Sequence, residues 1–278
     1  GAAATALYGS RAASGVVMIT TKTGKKNKGL GIEYTGGLQW STILRLPEFQ
    51  NEFGMGWNGD HTELENGSWG PRFDGSMQLW GNKYENSQKL KPYSPIKNNI
   101  KDFFDAGFRY NNSVSFNGAT DKSEYYVSFS QISDDGMVPT DADSYDKYTF
   151  SARGSHKVKA LTFSSSLNYS YQKNKFATTG QGLTMLNSLY QTPRDVSIIS
   201  LQDQNDIFNS PGYFYTPYGV MNPYYILENY LNEYDAERFY GKFQVDYDFL
   251  KYFKFTYRMG LDTTTGQSNN RDNVYPGR

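Results

Sequence analysis

Hydrophobic and polar residues alternate with a period of two along seven stretches of this chain, the rhythm of strands with one apolar and one polar face. In the first, Leu30, Ile32, Tyr34, Leu38 and Trp40 oppose Gly31, Glu33, Thr35, Gly37, Gln39 and Ser41. Tyr110, Val114, Phe116 and Gly118 against Asn111, Ser113, Ser115 and Asn117 predict a second strand. Tyr125, Val127 and Phe129 mark a third, and Tyr148, Phe150 and Ala152 a fourth. The fifth sets Leu161, Phe163, Leu167, Tyr169 and Tyr171 against serines, Asn168 and Gln172. Phe239, Gly241, Phe243, Val245, Tyr247 and Phe249 oppose Tyr240, Lys242, Gln244, Asp246 and Asp248 in the sixth, and Phe253 to Leu261 repeat the pattern in the seventh, against Lys254, Thr256, Arg258 and Asp262. Charge stays on one face throughout. Upstream, the small-residue run Ala2 to Ala13 and the β-branched group Val16, Val17, Ile19 and Thr20 read as the end of a separate compact unit.

The connections alternate in length. Tight turns are expected at Thr120 to Lys122, Lys157 to Lys159 and around Leu250, and long loops at Thr42 to Gly107, Asp134 to Tyr145 and Lys173 to Asp235. Short turns at one end and long loops at the other are the arrangement of an outer-membrane barrel. A strand of roughly ten residues rising about 3.3 Å each and tilted by about 40° spans roughly 25 Å, the height of such a barrel's apolar band. Cap, proline and glycine signals place helical fragments in the loops at Pro47 to Phe53, Asn99 to Ala106, Leu183 to Tyr190 and Tyr224 to Leu231.

Composition sharpens this picture. No apolar run approaches the roughly 18 residues of a membrane helix, yet a barrel wall hides in averaged hydropathy because only every second residue meets lipid. The chain has 24 Tyr, 18 Phe and 27 Gly with zero formal net charge, which argues against nucleic acid as a partner. The absence of cysteine suits an oxidising envelope and a reducing cytosol equally. An unpaired strand edge in lipid costs several kcal/mol for each orphaned backbone group, and bacterial single-chain barrels use even numbers of strands. Seven strands are therefore expected to be one arc of a larger all-β wall, and the chain, which opens in mid-pattern without an initiating Met, is expected to be a partial or processed product.

Candidate chemistry is sparse. Asp141, Asp143 and Asp146 are spaced loosely like calcium ligands without the rest of a known loop. His61 and His156 lie far apart with no cysteine near, so zinc is not expected. Gly24-Lys25 lacks the earlier glycine of a phosphate-binding loop, because that position is Ile19. No Ser, His and Asp grouping stands out, so no enzyme activity, metal or cofactor is expected. Trp69, Arg72, Phe73 and Asp74 either touch a ligand or a lid, or fold their loop through Gly70, Pro71 and Gly75. Tyr213, Tyr215, Tyr218, Tyr224 and Tyr225 form either an aromatic binding surface or an interfacial girdle. Arg11 is a candidate for seating the upstream unit against the wall. Lys22, Lys25, Lys26 and Lys28 read as a solvated linker.

Two motifs carry a family resemblance. Leu7-Tyr8-Gly9-Ser10-Arg11-Ala12-Ala13, followed by Gly15-Val16-Val17-Met18-Ile19-Thr20-Thr21-Lys22, resembles the end of the plug domain in SusC/RagA-like TonB-dependent outer-membrane transporters. Ser68-Trp69-Gly70-Pro71-Arg72-Phe73-Asp74-Gly75 resembles that family's first-loop motif, and Asn98 to Gly107 and Asn222-Pro223-Tyr224 match further segments. The sequence holds no Ton box, little plug and about the first third of such a barrel. The resemblance implies residues 1–28 as plug end and linker, and residues 29–278 as the first strands of a transmembrane antiparallel β-barrel, which in full has about 22 strands. It also implies import of oligosaccharides or oligopeptides, a SusD-like surface lipoprotein as lid, TonB as the energised partner, and outer-membrane lipid around the wall. A polar lumen face bearing Glu33, Arg153, Lys242, Asp246, Arg258 and Asp262 would hydrogen-bond a removable plug, since such bonds exchange for water at modest net cost. Two other readings are a non-transporting receptor or assembly scaffold on the same barrel, and a soluble carbohydrate-binding or carbohydrate-cleaving β protein with its apolar faces buried against a second sheet.

Overall fold

The computed structural model describes residues 31–250 and 252–272, together with Ala6, Gly9, Ser10, Ser14, Lys22, Gly24 and Lys26. Nine strands follow in order: β1 (Gly31–Ser41), β2 (Met77–Tyr84), β3 (Ser87–Pro92), β4 (Gly107–Ala119), β5 (Ser123–Asp135), β6 (Ser144–Val158), β7 (Leu161–Lys175), β8 (Tyr230–Phe249) and β9 (Phe253–Asp272). Seven of them form one sheet in the order β1-β4-β5-β6-β7-β8-β9, and β2 and β3 pair separately. Every pairing in the large sheet is antiparallel, so each strand lies beside the previous one in a simple meander.

Register converts the alternation of single strands into rows across the sheet. One row runs Ile32, Phe116, Val127, Ala152, Leu167, Gly241 and Leu261, and the next Glu33, Ser115, Ser128, Ser151, Asn168, Tyr240 and Asp262. Another apolar row joins Tyr34, Val114, Phe129, Phe150, Tyr169 and Phe239. A slip of one residue in a strand would set its apolar side chains in its neighbours' polar rows. The apolar face is uncovered: Ile32, Phe116, Phe129, Phe243 and Leu261 are all exposed. No second sheet packs on it among the described residues.

The short turns leave one end of the sheet, between β4 and β5, β6 and β7, and β8 and β9. At the first, the Thr120 hydroxyl accepts from the Ser123 N–H at 3.0 Å. Lys159 and Leu250 take left-handed backbone (φ 53° and 46°) at the other two. The long loops leave the opposite end and hold the hydrophobic core, which gathers Met55, Phe103, Leu189, Ile198, Phe214 and Tyr224 with β2-residue Trp80. The first and third loops thus fold together into a canopy above the wall.

Four details depart from the sequence reading. Pro47 to Phe53 is not helical, because the Gln50 side chain accepts from the Glu52 and Phe53 N–H groups at 2.7 and 2.9 Å and closes a turn in its place. The β2–β3 hairpin stands where no strand was expected. Asn99 to Ala106 yields only a 3₁₀ turn at Lys101–Phe103, while helices form at Met185–Tyr190 and Pro223–Asn229. β8 begins at Tyr230 and β9 runs to Asp272, well beyond the alternating stretches.

Candidate binding surfaces

The six expected lumen residues share one face. Glu33 and Asp262 lie in one register row, Arg153 and Lys242 in the next with Asn117, Tyr126, Ser166 and Gly260, and Arg258 pairs opposite Gln244 and Asp246 opposite Thr256 on the same side. Their contacts are polar and local. Arg238 grips Asp262 with two hydrogen bonds of 3.0 and 2.7 Å, Arg258 Nε donates to Gln244 at 2.8 Å, and Asp246 accepts from Thr256 at 2.6 Å. The linker approaches this face. Lys22 Nζ meets Glu33 at 3.0 Å, the Arg153 guanidinium donates to the Lys22 carbonyl at 3.1 Å while lying 5.5 Å above the Tyr126 ring, and Lys26 pairs with Asp121. The hydrogen bond that Lys22 donates to Glu33, with that carboxylate's charge, raises the Lys22 ammonium above its ordinary value. A cleft of about 700 Å³ opens here, bounded by Gly24, Arg153, Lys242 and Asp262. Arg11 lies outside the described residues.

In the first loop, three of the four motif side chains make contacts within the loop, Arg72 and Asp74 at its exposed surface. Arg72 pairs with Glu52 at 2.8 Å and lies 4.9 Å above the Phe53 ring. Phe73 packs on Tyr93 at 5.0 Å, and Asp74 accepts from the Ser76 hydroxyl at 2.7 Å and its N–H at 2.9 Å, which holds the carboxyl below its usual range. Tyr93 donates to the Pro71 carbonyl at 2.9 Å, and burial pushes its phenol up to about 12. Gly70 is required by space: a Cβ there would run into the Met55 carbonyl and sit 2.8 Å from the Tyr93 hydroxyl. Trp69 is 70% exposed.

The third-loop tyrosines separate. Tyr218 is exposed and Tyr213 stands edge-on to Tyr84 at 5.0 Å. Tyr215 is buried against Trp80 and Phe214, with ring centres 5.6 and 4.6 Å away, so it is a core residue and not the ligand contact expected of it; burial raises its phenol far above the ordinary value. Tyr224 is likewise buried on Phe103, and its phenol is pushed up to about 12 by burial. The alternation of loop aromatics carries no periodic signal that separates inside from outside.

Residues without a sequence signal hold the canopy. Lys91 and Asp195 form a buried ion pair, and Asp195 also accepts from the Met55 N–H at 2.8 Å; burial lowers the Lys91 ammonium despite that partner. Arg194 donates from Nε to the Gln50 carbonyl at 3.0 Å and from Nη2 to Asn51 Oδ1, Ile96 O and Lys97 O at 2.9, 3.1 and 3.3 Å. Asn99 donates to the Val196 carbonyl at 2.7 Å and accepts from the Ile198 N–H at 2.9 Å. Each of these ties the first loop to the third. Asp146, one of the loosely spaced aspartates, accepts from Ser133 at 2.7 Å. Among the described residues, no three His, Cys, Asp or Glu side chains gather as a metal site, and no helix is long and apolar enough to cross a membrane.

Comparison with known proteins agrees with this geometry. No family model matches. The chain is 25% identical over 262 residues to the TonB-dependent receptor SusC of Bacteroides thetaiotaomicron, covering 89% of this chain and 24% of the relative. It is 24% identical over 275 residues to the TonB-dependent receptor P3 of Formosa agariphila, covering 96% of this chain and 24% of that protein. The chain thus spans about a quarter of the length of these relatives. Among solved structures, the RagAB peptide importer in its open-open state superposes with a TM-score of 0.66 at 19% identity over 99% of this chain and 32% of the other. The closed-closed state gives 0.61 at 15% identity over 94% and 31%.

Proposed function

We propose that this SusC/RagA-like chain is part of an outer-membrane importer of large nutrients, oligosaccharides or oligopeptides, and works as the barrel subunit of a SusCD-type complex. In this reading residues 1–28 end the plug, and residues 29–278 begin the wall, whose edges at β1 and β9 join further strands of one barrel. The observation that carries it is the segregation of rows in the half of the sheet nearer the short turns, apolar to one side except at Ser165 and Thr263 and largely polar to the other, with the linker on the polar side. Lipid would cover Phe116, Phe129 and Phe243, and the lumen would hold Glu33, Arg153, Lys242, Asp246, Arg258 and Asp262.

The physical logic is one of exchange. Plug and wall meet through ion pairs and hydrogen bonds, among them Lys22 with Glu33 and Arg153, which water can replace when the plug is drawn away. An apolar seam of the same area would resist such separation. TonB supplies the pull, a SusD-like lipoprotein closes the canopy from outside, and Arg11 seats the plug. Uptake of a labelled oligosaccharide and a labelled oligopeptide by cells expressing the full-length protein with its lid lipoprotein tests the reading. Accumulation that collapses when the proton gradient is discharged or TonB is deleted is expected. Accumulation indifferent to both would overturn it.

A further inference from the structure

A cleft of about 400 Å³ opens on the canopy where the first loop meets the third, away from the polar wall. Its size lies in the lower part of the range of small-molecule sites, roughly 300–1,000 Å³. Phe49, Phe53, Trp57, Trp69 and Tyr190 supply its apolar surface. Two of these rings are conspicuously open to solvent, Trp57 at 55% and Trp69 at 70%. They are nevertheless held on a fixed frame, since the Trp57 N–H donates to the Asp60 carbonyl at 3.0 Å, the Trp69 N–H to Gly56 at 3.0 Å, and the Trp69 carbonyl accepts from Gly59 at 2.8 Å. Exposed indoles on a pinned backbone lose little conformational freedom when something stacks on them.

The polar lining narrows what that something is. Glu65 contributes a carboxylate and Asn66 an amide oxygen, its NH2 donating to Gln191 Oε1 and the Tyr218 carbonyl at 2.5 and 3.3 Å. Gln191 contributes the second hydrogen of an NH2 that donates to Asn187 at 2.6 Å, while the Thr192 hydroxyl is held by the Ser188 carbonyl at 2.8 Å. The lining carries one charge of each sign, Glu65 and an Arg194 whose Nε and Nη2 are held by Gln50, Asn51, Ile96 and Lys97, so it has no net charge with which to select an ionic ligand. Main-chain donors at Trp57, Gly59, Trp69, Gly70 and Thr192 are satisfied internally, so no extended strand edge runs along the cleft for a peptide backbone to pair with over several residues. Pyranose rings suit the remaining chemistry: their C–H faces stack on indoles and their hydroxyls both donate to a carboxylate and accept from amides. We infer that this inter-loop cleft is a binding subsite for a neutral oligosaccharide, with Trp57 and Trp69 as stacking platforms and Glu65, Asn66 and Gln191 as hydroxyl partners.

The inference deepens the import reading and rests on it for the glycan's origin, while the binding event itself is separable. The test uses the purified full-length protein with its lid lipoprotein in detergent, titrated calorimetrically with cellohexaose, maltohexaose, xylohexaose and a neutral hexapeptide mixture. At least one hexaose is expected to bind, Trp57→Ala and Trp69→Ala each to weaken it about three- to tenfold, and Trp69→Phe to recover part of the loss. An unchanged thermal transition in the variants would show that the canopy is intact. Binding of peptides but no hexaose, or hexaose binding untouched by both alanine variants, overturns the subsite. Either result leaves proton-gradient-dependent uptake standing, whereas loss of that dependence with tryptophan-sensitive binding retained would sink import alone.

Discussion

Lys91 and Asp195 carry opposite charges into a site almost without water, at the seam of two loops more than a hundred positions apart in the chain. Removing one partner strands the other, so Lys91→Ala is expected to cost about 3–5 kcal/mol, while Lys91→Met with Asp195→Asn, which keeps an acceptor for the Met55 N–H, falls much closer to neutral. Thermal unfolding of the full-length protein reads the difference. Asp143 behaves oppositely. Partial burial, then the nearby Asp134 and Asp135, raise its carboxyl above the ordinary 3.8, although the Met137 N–H pulls the other way. Between 3.8 and that raised value the folded chain holds more protons than the unfolded one, so stability falls as pH rises through this window. Asp143→Asn is expected to remove this slope and to stabilise the β5–β6 loop at neutral pH by about 0.5 kcal/mol, the discount reflecting solvent screening. Protease resistance of that loop from pH 3 to 7 checks it. Neither role was legible in the sequence, where Lys91 sits in a stretch of ordinary polar residues and Asp143 looks like a loose cation ligand.

Strands β4 to β7 were readable because apolar and polar positions alternate in their halves nearer the short turns, with Ser165 the exception on the apolar side. The outer parts of β8 and β9 were not, for a physical reason: from Tyr230 to Arg238 and from Thr263 to Asp272 both faces are polar, as in Asn232, Glu233 and Asp235 opposite Asn270, Asn269 and Gln267. Period two vanishes where both sides of a strand are wet. The β2–β3 hairpin escaped notice because its faces are both apolar in part, Trp80 turned into the canopy and Leu79 paired with Leu90 outside. The helix Pro223–Asn229 was legible from its Asn-Pro start, and Asn222 does more than cap it. It accepts from the Tyr224 N–H at 3.0 Å and donates to the Leu201 and Asn209 carbonyls at 2.8 and 2.9 Å. Asn222→Ala is expected to destabilise the third loop by about 1–3 kcal/mol, seen as faster amide hydrogen exchange in residues 199–230.

Over the molecule as a whole, two kinds of order coexist: a wall whose stability depends on its surroundings, and a canopy with a core of its own. The wall followed from counting hydropathy, whereas the canopy brings Met55, Phe103, Leu189 and Phe214 together across distances no local pattern spans. A charge on the outer face should be costly and one on the inner face tolerated. Phe243→Lys is expected to lose about 2–4 kcal/mol of membrane stability if it lies near the bilayer midplane, and the neighbouring Gln244→Lys very little; urea titration of the folded full-length protein in liposomes compares them. The central claim is the oily and wet sidedness of the sheet, and it is directly measurable by labelling in a full-length protein from which any cysteine outside this cysteine-free chain has been removed. Single cysteines placed at 242 to 247 of β8 in the full-length protein, each carrying an environment-sensitive fluorophore, are to be quenched by brominated lipid and by aqueous iodide. The account predicts lipid quenching at 243, 245 and 247 and iodide quenching at 242, 244 and 246; uniform iodide access, or quenching without alternation, would contradict it.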